Sequence, residues 1–266
     1  RVLGADRPAS IDPTNNTKQF PGNAKRLQQY VRLAYDASRG RYLAVWEDDR
    51  DGGGDNDRTH PYGQRYEILD EDIYGAFIDA NTLAVSGNFK ISGPAGVGRN
   101  ERFPEVAYNP VLDEFLVVWQ RLDGTLPDDN QNIMPADKAW RAVVGQRIAG
   151  AGQMIGGNFD IRTQAAYQQT YASDIPKPSV ACNSRLGTYV VVWSEVTRNW
   201  GERNGKYVML APSGASVQMG AVGDIAAGCT EPRIVYNHAG DQFLVSWHGG
   251  DPSQVRWATL LYTQPH

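Results

Sequence analysis

An apolar pentapeptide ending in tryptophan recurs along the chain: YLAVW at 42–46, FLVVW at 115–119, YVVVW at 189–193 and FLVSW at 243–247. A strand covered on one face alternates apolar and polar residues. These segments do not alternate, so the pattern predicts strands buried on both faces. Upstream of each lies a second apolar segment: VRLAYD (31–36), PEVAYN (104–109), PSVACN (178–183) and PRIVYN (232–237). A short polar link joins the two, as in a β-hairpin of strands A and B. Downstream come DIYGAFID (72–79), RAVVGQRI (141–148), KYVMLAP (206–212) and QVRWATLL (254–261), read as strand C. VSGNFKIS (85–92), MIGGNFDIR (154–162) and MGAVGDIA (219–226) follow as strand D.

Repeats starting near 31, 104, 178 and 232 predict an all-β fold, a four-bladed β-propeller of four-stranded antiparallel blades in one domain spanning 1–266. The fourth repeat has no D segment. Residues 1–10 are expected to supply it and close the ring, with Leu3–Ser10 laid over Ile155–Arg162. Pro8 suits the outer edge of a sheet. An eight-stranded sandwich and two small β domains are the alternatives. The AKRLQQYVRL stretch before the first hairpin is read as holding a helical turn. Trp46, Trp119, Trp193 and Trp247 share one register, which favours packing between blades over sugar stacking.

Composition narrows the function. The net charge of −4 and the lack of a Lys/Arg cluster argue against nucleic acid as a partner. No apolar run approaches the roughly 20 residues that cross a bilayer, so no membrane insertion is expected. The chain starts at Arg1 and is read as beginning at a processed or trimmed end.

The consensus carried by PEVAYN, FLVVW, DIYGAFID, VGQRI and GGNFDI resembles a β-propeller-type repeat of large secreted bacterial and archaeal proteins, often found beside adhesion modules. The resemblance covers roughly residues 31–262 and implies a scaffold in a secreted, extracellular, periplasmic or cell-surface protein. The third repeat departs from it: KYVMLAP lacks the Y-G-Q motif, and Cys182 stands where the other repeats have tyrosine.

Candidate chemistry lies in what differs between repeats. In EDDRDGGGDND (47–57), Asp49, Asp51, Asp55 and Asp57 around flexible glycines suit the oxygen ligands of Ca²⁺, although the spacing is not that of an EF-hand. A solvated acidic loop is the alternative. Cys182 and Cys229 are expected to pair as a disulfide, which fits an oxidising compartment; two free thiols are the alternative. The histidines form no ligand pattern, and no nucleophile, phosphate-loop or dinucleotide motif occurs. The expected function is therefore a non-enzymatic propeller that binds a protein partner or a surface polysaccharide through its long B–C loops. Tyr62, Tyr66, Arg121 and Trp140 are its contact candidates. The alternative is a carbohydrate-active enzyme using two carboxylates, from among Glu47, Glu101, Glu105, Glu195 and Glu231, at one mouth of the ring.

Overall fold

The computed structural model describes residues 28–48, 71–93, 99–123, 140–165, 177–196, 203–249 and 254–261, with backbone only at 99–100, 122–123, 140–141, 164–165, 196 and 261. Four A–B hairpins turn in the same way. The residue ending strand A accepts two backbone N–H bonds through its side chain: Asp36 from Ser38 and Arg39, Asn109 from Val111 and Leu112, Asn183 from Arg185 and Leu186, Asn237 from Ala239 and Gly240. These are Asx turns. Each closes on a left-handed residue: Gly40 (φ 61°), Asp113 (52°), Gly187 (70°) and Asp241 (48°). The polar link read from the sequence is thus one local device repeated.

The described strands form four antiparallel sheets. Blade 1 has the order β1 (Gln28–Asp36), β2 (Arg41–Asp48), β3 (Asp72–Asp79) and β4 (Phe89–Lys90). Blade 2 comprises β5 (Arg99–Asn109), β6 (Glu114–Asp123), β7 (Trp140–Ala149) and β8 (Met154–Ala165). Blade 3 comprises β9 (Ser179–Asn183), β10 (Thr188–Val196) and β11 (Arg203–Ser213), with β12 (Ser216–Met219) and β13 (Gly223–Ala227) both on the outer side of β11. Blade 4 shows β14 (Thr230–Asn237), β15 (Gln242–His248) and β16 (Val255–Leu261). This is the four-bladed propeller expected from the repeats. Residues 1–10, expected as its closing strand, lie outside the described residues.

Two details differ from expectation. The D strand is broken where it was read as continuous. In blade 1 it touches β3 at Ile78↔Val85 and again at Gly75↔Phe89; in blade 3, β12 and β13 share the edge of β11. No helical turn forms from Gln28 onward. Gln28 and Gln29 pair with Asp48 and Glu47 through the backbone ladder, and their amides donate to those carboxylates. That pairing outweighs the local helical preference.

The A strands are innermost: β5 packs against β1, β9 against β5 and β14 against β9. The B strands are the core. Phe115, Leu116, Val117, Val118 and Trp119 have no exposed surface, as their unbroken apolarity predicts. The two faces of each B strand serve two seams. Phe115, Val117 and Trp119 pack on Leu43 and Val45 of blade 1. Leu116 and Val118 pack on Tyr189, Val191 and Trp193 of blade 3. Val190 and Val192 meet Phe243, Val245 and Trp247 of blade 4. Every seam therefore sets the tryptophan face of one blade on the leucine or valine face of the blade before it. Polar bonds pin the turn end: Arg39 to Asp113, Asn109 to the Gly187 carbonyl, and Asn183 to Asp241.

The expected disulfide is not formed. Cys182 and Cys229 are both free and buried. The sheet puts their side chains on opposite faces of blade 3. Cys182 belongs to the seam with blade 2, and Cys229 to the seam with blade 4. Burial pushes both thiols up to about 12. In the folded protein neither thiol should react with iodoacetamide at pH 8. Unfolding in denaturant without reductant should release two titratable thiols per chain. A titration that finds none would restore the bridge.

Candidate functional site

One end of the ring gathers the A-strand starts and the B–C connections, because Gln28 and Asp72 both pair with Asp48 at the end of β2. Three of the four A strands enter over the same irregularity. The ladder slips between Gln29 and Arg32, between Arg102 and Glu105, and between Thr230 and Arg233. At each slip one residue stands in the left-handed region: Tyr30 (56°), Phe103 (55°) and Glu231 (48°). None of these is glycine, so each carries backbone strain, and Phe103 and Glu231 also precede proline, which normally favours extended backbone. Strained non-glycine residues gather at functional sites.

Tyr30, Phe103, Lys177 and Glu231 hold one register position in the four repeats and form a chain of contacts around the mouth. The rings of Tyr30 and Phe103 meet edge to face at 4.9 Å. Lys177 Nζ lies 5.1 Å from the Phe103 ring centre and pairs with Glu231. Lys177 holds the Glu231 carboxyl below its ordinary range. One turn deeper, Arg32, Glu105, Ser179 and Arg233 occupy the next shared position. Arg32 Nε donates to Glu105 Oε1 at 2.7 Å, and Arg233 donates to the same oxygen. The Glu105 carboxylate thus ties blades 1, 2 and 4 together inside the ring.

Beside the rim, between blades 1 and 2, lies a buried carboxylate pair. Glu47 ends the B strand of blade 1, and Glu71 precedes its C strand; they are 0% and 2% exposed. Arg102 Nε lies 2.7 Å from Glu71 Oε2 and 3.7 Å from Glu47 Oε2. The Gln29 amide donates to Glu47 at 3.1 Å and to Glu71 at 3.3 Å. The Phe103 N–H donates to Glu47, which links the pair to the rim. Burial pushes the Glu47 carboxyl up; the Phe103 N–H and Arg102 pull it down and are outweighed.

The other candidate carboxylates have structural duties. Glu101 accepts the Trp119 indole N–H, and Glu195 accepts that of Trp193 while pairing with Arg162. Asp48 does the same for Trp46. Among the contact candidates, Arg121 pairs with Asp160 at 2.9 Å, and Trp140 opens β7 opposite Asp123. Asp49, Asp51, Asp55, Asp57, Tyr62 and Tyr66 lie outside the described residues. Among the described residues no cluster of three or more metal-ligating side chains occurs. Neighbouring Asp72 is held by Lys90 and Ser92. The sequence reading missed Tyr30, Phe103, Lys177 and the Glu71–Arg102 pair. The rim had a signal, since its residues immediately precede the first letter of each A segment.

No protein-family model matches the chain, and no curated protein matches it. Solved structures do. A Hadza microbial sialidase is 8% identical with a TM-score of 0.54, over 88% of this chain and 44% of its own. The GH93 α-L-arabinofuranosidase of Fusarium graminearum, in complex with arabinobiose, is 13% identical with a TM-score of 0.53, over 89% of this chain and 58% of its own. Trypanosoma rangeli sialidase in complex with sialic acid is 9% identical with a TM-score of 0.51, over 88% and 36%. The chain thus spans between about a third and three fifths of the structures it matches. At these identities the likeness establishes the propeller fold.

The buried Glu47 makes a pH prediction. A carboxyl raised in the folded state contributes stability below its unfolded pKa of about 4.3 and loses it as pH rises through the folded value. Glu47→Gln keeps the shape without the charge. Its stability relative to wild type should improve steadily as urea unfolding is repeated from pH 4 upward. A pH-independent difference would mean that Glu47 is not raised.

Proposed function

We propose that this chain is a carbohydrate-directed propeller of the glycosidase type, taking its glycan at the mouth rimmed by Tyr30, Phe103, Lys177 and Glu231. The observation that carries this reading is the Glu47–Glu71 pair next to an aromatic rim. Glycoside hydrolysis needs two carboxyl groups with separated proton affinities, one of which keeps its proton to protonate the leaving oxygen. Glu47, raised by burial, fits the acid. Glu71, beside the Arg102 guanidinium, fits the carboxylate partner. Tyr30 and Phe103 offer ring surface for the apolar face of a sugar. The fold shared with two sialidases and an arabinofuranosidase supports the same class. In this reading the chain works outside the cell or at its surface, where polymeric glycans are met.

A second reading, a propeller that binds glycan without cleaving it, is favoured by one fact. Glu47 and Glu71 are covered, so a substrate reaches them only after the rim moves.

The test is a panel of aryl glycosides and a glycan array, applied to wild type, Glu47→Gln and Phe103→Ala. The proposal expects aryl release that falls by about 10²-fold or more in Glu47→Gln, the usual contribution of a general acid. It also expects an alkaline limb, because raising the pH removes the acid's proton. Phe103→Ala should weaken glycan retention in both assays. Retention without cleavage selects the binding reading, and neither retention nor cleavage by wild type overturns both.

A further inference from the structure

The layer just below the rim is not balanced in charge. Its four positions hold Arg32, Glu105, Ser179 and Arg233, which are two cations, one anion and one neutral group. Arg32 Nε donates to Glu105 Oε1 at 2.7 Å, and Arg233 donates to the same oxygen from another blade. Ser179 is buried, and its hydroxyl oxygen accepts the Ile234 N–H at 3.4 Å. Among the described residues no second carboxylate pairs with either arginine, so the layer keeps one surplus positive charge. Other arginines of the ring are matched: Arg147 pairs with Glu114, and Arg102 lies between Glu47 and Glu71.

The hydrogen-bond count points the same way. A guanidinium carries five N–H donors in a planar fork. Arg32 spends one on Glu105 and one on the Val31 carbonyl, and Arg233 spends one on Glu105. Among the described residues nothing accepts the others. The two arginine side chains are 34% and 43% exposed, whereas that of Glu105 is 16% exposed. The donors are thus open to water while the carboxylate is mostly covered. Arg233 is also felt at the rim, where the Glu231 carboxyl is held low by Lys177 first, and then by Arg233 and His248.

We propose that Arg32 and Arg233 form an acidic-sugar subsite of the mouth, which takes a glycan bearing a carboxylate or a sulfate ester. This rests on the carbohydrate-directed reading above and names the sugar chemistry which that reading leaves open. A guanidinium fork binds two oxygens of a carboxylate or of a tetrahedral oxyanion with paired bonds. The acid group takes the open donors and offsets the charge that Glu105 leaves over. Two like charges at one oxygen repel each other, and a second anion relieves that repulsion. Arg233 stands two residues along β14 from Glu231, about 7 Å, so a sugar at the rim reaches it with its acid substituent. Glu105 is then an internal competitor: it positions both arginines and holds part of their donor set.

The test arrays uronic-acid and sulfated oligosaccharides, each beside its methyl-esterified or desulfated form, which keeps the sugar and removes the charge. Wild type should retain charged forms about 10-fold or more over uncharged ones, the scale of a hydrogen bond to a charged group. Which set it retains separates carboxylate from sulfate. Arg233→Gln should erase the preference and keep the melting temperature, because the side chain is exposed. Glu105→Gln should do the reverse and strengthen retention of charged forms, because it removes the competing carboxylate; if that variant does not fold, Arg233→Gln decides alone. Uncharged forms retained as well as charged ones would overturn the proposal and leave the carbohydrate reading standing. A preference that survives Arg233→Gln, or that a folded Glu105→Gln weakens, would overturn it too, since the acid group then binds elsewhere. Wild type that retains no glycan of either kind removes the carbohydrate reading and the proposal with it.

Discussion

The fold depends on one contact, the tryptophan face of a B strand set on the leucine or valine face of the strand before it. A β-sheet has two faces, and an inner propeller strand can bury both only if a neighbour stands on each side. Each B strand therefore carries apolar residues throughout its pentapeptide, Ser246 of blade 4 being the exception, and its packing on one side fixes the register on the other. The blade-to-blade bonds at the turn end, such as Asn109 to Gly187 and Asn183 to Asp241, pin the same register from outside the core. Stability in such an array is roughly a sum over repeats and the seams between neighbours.

The same contact decides where chemistry can occur. The three described seams are full and the turn end is occupied by Asx turns, which leaves the opposite mouth. There three of the four A strands enter through strained left-handed residues and the B–C connections depart. The Glu105 carboxylate, shared by Arg32 and Arg233, fills the ring just beneath. The axis is thus filled by an ion-paired carboxylate, and the glycan of the proposed function is held at the rim beside the Glu47–Glu71 pair.

Much of this was legible in the chain. Unbroken apolarity in FLVVW and its copies gave two-sided burial, and the four registers gave four blades. The shared position of the tryptophans gave their packing role. The site was less legible because its parts are polar residues scattered among the repeats. Glu47 and Glu71 stand 24 residues apart and meet only because a hairpin returns the chain to the same edge. Arg102 reaches them from another blade. The cysteines misled for a related reason: their positions in the repeat pattern did not reveal that each side chain takes a different face of the blade 3 sheet. Leu33 and Val235 look identical in kind to their buried equivalents, so nothing in the sequence signalled their exposure.

Hydroxyl-radical footprinting of the whole chain tests this account of the seams most directly. It predicts strong labelling at Leu33, Tyr35, Leu244 and Trp257, with protection at Val106, Leu116, Val180 and Trp193. Equal labelling of both groups would show that the B-strand faces are not packed on neighbouring blades, and would contradict it.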